Sequence, residues 1–438
     1  MHQRHGVSIA LLCAPLVCGP LLACEGTGAG SSDGGSLDAA TSDAGSGLGS
    51  SDGGAEISAA GLRAQDITIL YPYPTAAELP SLLTASSTGE RGVLIPQEAF
   101  ELFPALVSHP RDRENSRDEL RVVGVRANCA FDTSAREDPC HGQLQLVFQV
   151  LAPAADGTNA EVFDASVHGV YPLDDTTFLS LVRDLRDLRR AMGDHEPEPL
   201  SVHPILERDG LDGDYADGLA AIVLRYAGAE TLHKATFITI DEPTPDARGG
   251  EIWTFGAVVE HDGVWASLEI PAFETATTSQ RLTSVGSALT LAESSFDVLV
   301  APALPATTDL SGLFGAGAVT DAEGATDAYE IALELENPLI RSADDSDCIT
   351  CHITHARARG EILAGLTPED EPAYYGAGAA VGTSTVRSAV GVRAMGWSVF
   401  APRPADATTD ERASRALSQR VINETAYTLA LLETMLDG

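Results

Sequence analysis

Residues 24–55 set the first limit on what this chain can fold into. Beyond Cys24 and Glu25 they are almost entirely Gly, Ser, Ala, Asp and Thr. They carry no apolar periodicity, so they cannot bury enough surface to offset the entropy of ordering. The stretch reads as a flexible acidic tether with a root-mean-square span of roughly 30 Å. Everything that packs must come from residues 56–438. That length, roughly 380 residues, implies two domains, or one large and one small.

Ahead of the tether lies a leader, residues 1–23. Arg4, His2 and His5 make a short basic head, and an apolar run follows, broken by Pro15 and Pro20. This is the pattern of an export signal, too short and too broken for a stable membrane span. Its end, Leu21-Leu22-Ala23-Cys24, resembles the lipobox of bacterial lipoproteins. The resemblance implies cleavage before Cys24, acylation of that thiol, and anchoring in a lipid bilayer. Each acyl methylene that enters the bilayer adds about 0.8 kcal/mol. By the same resemblance Glu25, where an Asp would retain the protein at the inner membrane, implies the outer membrane. The globule then stands in the periplasm or on the cell surface.

The chain has 7 cysteines. Cys13 and Cys18 leave with the leader and Cys24 takes the lipid. Cys129 and Cys140 are expected to form a disulfide in an oxidising compartment. A metal site from Cys129, Cys140 and His141 is the weaker alternative, because no second Cys or His pair lies nearby. Cys348 and Cys351 remain, in Cys348-Ile349-Thr350-Cys351-His352.

That last spacing is the c-type haem attachment pattern. On a helical turn, positions i and i+3 face the same way and i+4 lies beside them. Two thiols can then reach the two vinyl groups of one porphyrin, while the His352 imidazole reaches the iron. The competing readings are a chance match, a disulfide, or a partial zinc site lacking a fourth ligand. His355 sits beside His352 and cannot reach the opposite face of the same ring.

Residues 56–336 read as one β-rich α+β body. Residues 67–70, 120–125, 143–151 and 162–171 are strand candidates. In the third of these Leu144, Leu146, Phe148 and Val150 share one face. The second and third flank the Cys129–Cys140 loop, which predicts an antiparallel hairpin with a cross-linked loop. Residues 97–106 suggest a short helix. Residues 174–192 are the clearest one, capped by Asp174 or Asp175. Phe178, Val182, Leu185, Leu188 and Met192 supply its core stripe, and Arg183, Asp184, Arg186, Asp187, Arg189 and Arg190 its solvated face. Residues 220–226 and 236–240 read as strands. Residues 251–259 and 263–270 read as a hairpin around His261-Asp262-Gly263, packed through Trp253, Phe255 and Trp265. Residues 296–301 and 329–335 are further short strands. No phosphate-cradling glycine loop, H-E-x-x-H or G-x-S-x-G is present. His109, His168, His195, His203, His233 and His261 show no metal-ligand spacing.

The formal net charge is −37, and Lys234 is the sole lysine. Such an acidic surface argues against nucleic acid or an anionic membrane surface as a partner and favours a cationic one; the plainer reading is that the charge simply suits an exported protein.

Residues 337–438 form the chemical segment, and it resembles small class I cytochromes c. Met395, in Arg393-Ala394-Met395-Gly396-Trp397, lies where that resemblance implies an axial methionine on a loop, ahead of a C-terminal helix. Residues 410–436 read as such a helix, with Ala416, Val421, Ala426, Leu429, Leu432 and Met435 as its apolar positions. The helix expected before the haem motif is not evident, so a five-coordinate iron or a histidine from the body stays open.

As a whole the chain resembles large lipoproteins of the myxobacterial type: lipobox, Gly/Ser/Asp tether, β-rich body with a cysteine pair, one C-x-x-C-H near the end. The expected fold is α+β, a β-rich body plus a small, mainly helical, cytochrome c-like segment. The expected function is one-electron transfer by a membrane-anchored monohaem protein carrying one haem c and meeting a redox protein partner. The alternative is a surface lipoprotein acting as a binding module, with Cys348, Cys351 and His352 structural or metal-binding. An enzyme reading, a haem oxidase or peroxidase partner, would need an open iron position.

Overall fold

The computed structural model describes residues 61–106, 116–130, 140–155, 157–193, 200–241, 251–268, 279–285, 288–291, 396–398, 414–417 and 419–437. All belong to the second of the chain's two compact units, Ser51–Gly438. Cys24, Cys348, Cys351, His352 and Met395 lie outside the described residues, as do the strand candidates at 296–301 and 329–335.

The body is built on an antiparallel sheet. A short helix α1 (Ala64–Ile67) leads into β1 (Thr68–Leu70). A small ribbon follows, β2 (Thr88–Gly89) with β3 (Gly92–Val93), and then α2 (Gln97–Phe100). The long strands are β4 (Leu120–Ala130), β5 (His141–Pro153) and β6 (Ala160–Pro172). After three helices come β7 (Lys234–Asp241), β8 (Glu251–His261), β9 (Val264–Ser267), β10 (Ser279–Val285) and β11 (Ala288–Leu291). Spatial order is β1-β4-β5-β6-β7-β8-β10-β11, with β9 paired to the far end of β8. Consecutive strands are mostly spatial neighbours, which suits short hairpin connections.

The expected cross-linked hairpin is present. β4 and β5 pair in register Cys129↔Gly142 and Ala130↔His141, with Cys129 and Cys140 disulfide-bonded. At the β8–β9 turn Asp262 (φ 52°) and Gly263 (φ 80°) both take left-handed backbone. That geometry matches the right-handed twist of the flanking strands.

Period-2 alternation sends Val125, Ala127, Leu144, Leu146, Phe148, Val167 and Phe237 to one face of the sheet, all buried. Two helices belong to this apolar side, α3 (Asp175–Ala191) and α5 (Asp214–Tyr226), with the short α4 (Pro204–Asp209) between them in sequence. Gly142 is where α3 comes down on the sheet: a Cβ there would sit 2.5 Å from the Phe178 Cβ. Asp174 caps α3, its carboxylate accepting from the Thr177 N–H at 2.9 Å.

Three expectations are corrected here. The C-terminal helix expected over 410–436 begins at Gln419, and Ala416, expected on its apolar side, lies in a short strand, Ser414–Ala416, because that stretch pairs with Gly396–Ser398. Residues 220–226 are helical, the last turns of α5, not a strand. Tyr215, Leu219, Ile222, Val223 and Tyr226 are its buried face, a helical spacing. Asp214 and Asp217 at its start and Arg225 at its end also complement the helix dipole. Arg189, expected on the solvated face of α3, is 1% exposed. The carboxylate of Asp66 on α1 draws it inward.

Within residues 337–438, β12 (Gly396–Ser398) pairs with β13 (Ser414–Ala416), and α6 (Gln419–Asp437) follows. These elements pack on the body: β12 across β4, β5 and β6, and α6 on α1 and β4. The molecule is a sheet-rich body with an antiparallel sheet and a few helices, one of them C-terminal.

Candidate functional site

Opposite its apolar face, the sheet buries a polar one. Strand parity places Arg126 and Asn128 of β4, Gln143, Gln145 and Gln149 of β5, His168 of β6, and Lys234 and Thr236 of β7 on this face. All eight are buried, Asn128, Gln145 and Thr236 completely. A sheet with one face in solvent would expose such side chains. Here they are interior, where each polar atom needs a partner. The sole lysine, Lys234, is among them. Period-2 alternation in β5 marks its apolar stripe but does not show that the glutamines between are equally buried.

The first half of α6 closes part of this layer. Residues 420–425 are buried all round the helix, the mark of a helix with packing on every side. Glu424 is the hub. One oxygen accepts from Arg126 Nη2 at 2.6 Å, and the other from Arg420 Nε at 2.9 Å. Arg126 Nη1 donates to the Gln145 amide oxygen at 2.7 Å. The next residue, Thr425, donates its Oγ1–H to Val421 O, one turn back, at 2.6 Å. That fixes the direction of the 2.6 Å contact between Thr68 and Thr425, in which Thr68 is the donor. The Cys129 N–H, at the disulfide, donates to Thr428 Oγ1 at 3.1 Å. A helix residue thus serves a backbone donor of β4 beyond the reach of β1, which pairs only with residues 124–126.

A second buried cluster joins α1, α3, α4 and α5. Arg189 clasps Asp66 with two bonds, Nε to Oδ1 at 2.7 Å and Nη2 to Oδ2 at 3.1 Å. The Arg63 N–H adds a bond to Oδ2 at 2.8 Å, and Arg189 also donates to Gly61 O. Burial pushes the Asp66 carboxyl above its ordinary range, and the Arg189 guanidinium opposes that shift. Nearby, Tyr215 stacks on His203 with ring centroids 4.5 Å apart, and its hydroxyl lies 3.0 Å from Nε2. Burial drives the phenols of Tyr71, Tyr171 and Tyr215 upward, so all three stay protonated at neutral pH. The Asp66 charge adds to the shift of Tyr215. This cluster is a structural keystone: its hydrogen bonds are local and inward-facing.

Among the expected site residues, the structure brings together Cys129 and Cys140. Their sulfurs are tied to each other, and His141 is exposed. The alternative of a metal held by Cys129, Cys140 and His141 is therefore set aside, because a disulfide sulfur is not a thiolate ligand. Among the described residues no group of three His, Cys, Asp or Glu is placed to hold a metal. No helix among them is long and apolar enough to cross a membrane. Sequence reasoning missed Arg126, Asn128 and Glu424, whose only advance signal is polar spacing shared by many solvated strands and helices.

No protein-family model, no curated protein and no solved structure matches the chain.

Proposed function

We propose that the chain is an exported, membrane-anchored, monohaem c-type cytochrome-like protein that passes electrons one at a time. The observation that carries this is Cys348-Ile349-Thr350-Cys351-His352 in a chain whose other exported cysteines already have roles. Cys24 stands at the lipobox, and Cys129 and Cys140 are bonded to each other. Neither thiol of the motif is needed to complete that disulfide, so the donor set of two thiols and an adjacent imidazole suits a covalently held haem.

In this reading Cys348 and Cys351 hold the ring, His352 ligates the iron, and Met395 is the candidate opposite ligand. Haem c bound there would supply a one-electron iron couple. The sheet-rich body is the scaffold: Gly396, the residue after Met395, opens β12, which packs across β4, β5 and β6. The acylated Cys24 ties the protein to the outer membrane, and the tether gives reach. The charge of −37 favours a redox partner with a cationic docking face.

The test is a reduced-minus-oxidised spectrum in alkaline pyridine of protein exported from a host with working cytochrome c maturation. A c-type band, absent from a Cys348→Ala/Cys351→Ala variant, is the expected result. A flat spectrum from the unaltered chain would sink the electron-transfer reading and favour the binding module.

A further inference from the structure

The polar face of the sheet carries a short row of donors that the Glu424 hub does not use. Asn128 and Gln143 sit directly opposite each other across β4 and β5, and Arg126 lies two residues along on the same face. Asn128 is fully buried, Gln143 is 5% exposed and Arg126 is 3% exposed. Both side-chain atoms of Asn128, the amide nitrogen of Gln143 and Nε of Arg126 make no hydrogen bond. Opposed residues on adjacent strands have Cβ atoms roughly 5 Å apart, and residues two along a strand roughly 7 Å. The three side chains are therefore neighbours on one face of the sheet.

We propose that Arg126, Asn128 and Gln143 form a binding row for a carboxylate. The chemistry follows from donors against acceptors. The row offers N–H groups from three side chains but a single oxygen, Asn128 Oδ1. A water molecule brings two hydrogens of its own and would find one acceptor for them. A carboxylate brings two oxygens with about four lone-pair sites and no hydrogen, so it takes what the row supplies. Glu424 already spans Arg126 Nη2 and Arg420, which leaves Nε as the edge for the ligand. Two sources share this chemistry. One is a propionate of the proposed haem, since β12 begins immediately after Met395 and packs across the same strands. The other is a free small carboxylate. Only the first source rests on the electron-transfer reading.

The experiment is thermal unfolding in sodium acetate against sodium chloride at equal ionic strength. The chloride arm absorbs the general screening that a chain of charge −37 must show. The chain is exported from the maturing host and compared with its Cys348→Ala/Cys351→Ala form, which cannot hold haem covalently. Each is also made with Asn128→Leu and, separately, Gln143→Met, so that one misfolding variant does not end the test. A ligand that binds only the folded state raises the midpoint with concentration. The expected result is an acetate excess in the double-alanine form that Asn128→Leu or Gln143→Met abolishes. An excess missing from the haem-bearing chain assigns the row to a propionate; an excess in both forms assigns it to a free carboxylate. No acetate excess in the double-alanine form, or one that both row variants retain, overturns the proposal. If the unaltered chain shows no pyridine haem band, the electron-transfer reading fails while the acetate arm still decides the row.

Discussion

Arg126 on β4 and Glu424 on the C-terminal helix meet at 2.6 Å across 298 residues of sequence, with side chains 4% and 3% exposed. Such a pair is costly to bury and costly to break. Removing one partner strands the other charge in the interior, at about 3–5 kcal/mol. Glu424→Ala is therefore expected to lower unfolding free energy by about that amount. An Arg126→Met/Arg420→Met/Glu424→Leu triple variant should lose much less, since it removes Arg420, the other buried partner of Glu424, as well and leaves none of the three charges stranded. Urea unfolding of the unaltered, single-variant and triple-variant proteins checks this, and a triple variant worse than the single one would count against it.

Asp66 gives a pH dependence with a definite sign. Burial holds its folded-state pKa above the ordinary 3.8. The folded chain then binds the proton more tightly than the unfolded chain, so this group's contribution falls as pH rises through that window. Arg189 restrains the effect. In Arg189→Met the carboxylate loses its guanidinium, and stability should be poorest near neutrality and recover toward acid. Unfolding midpoints between pH 4 and 7 decide it; a variant deficit that is flat with pH would show that Arg189 contributes packing alone.

The N-cap of α3 runs the other way. Hydrogen bonds from Thr177, side chain and backbone, hold the exposed Asp174 carboxyl below its ordinary value. Its contribution is present above the unfolded pKa and is lost as pH falls through the folded one. Asp174→Asn keeps a capping oxygen without the charge. It should therefore be less stable than the unaltered chain at pH 7 and equal to it in strong acid. Parallel pH series of the two proteins provide the measurement.

The Cys129–Cys140 bond closes a loop of sequence separation 11. Loop-entropy arithmetic gives about 3 kcal/mol of stabilisation for a loop of this size. A Cys129→Ala/Cys140→Ala variant should lose roughly that much. Because the Cys129 N–H is held by Thr428, hydrogen exchange should quicken in α6 as well as in β4. Exchange confined to the hairpin would separate the disulfide from the helix.

The parts of this fold that were legible in the sequence are those where local chemistry and packing agree. Asp174 before an apolar stripe at helical spacing marks α3, and β-branched alternation around a cysteine loop marks the β4–β5 hairpin. What misled was side-chain character without its partner. Ala220-Ala221-Ile222-Val223-Leu224 looks like a strand until Tyr215 and Leu219 are counted into the same face. Arg189 sits among six other charged residues of α3 and is drawn inward because Asp66, 123 residues away, pairs with it. Gln143 and Gln145 alternate like solvent-facing residues, yet a second layer covers them. The site is harder still. The haem reading of Cys348, Cys351 and His352 rests on spacing alone, whereas Asn128 and Gln143 gain meaning only when register sets them side by side.

The contact between Thr68 and Thr425 has a consequence in time. The first strand of the body is fastened by the last helix to emerge, 357 residues later. A chain is made N-terminus first, so β1, β4 and the Arg126 layer stay unsealed until α6 has been made. Cys348 and His352 are made about seventy residues earlier than that helix. Under the proposed function, haem attachment at the motif can therefore begin before the body is able to shut.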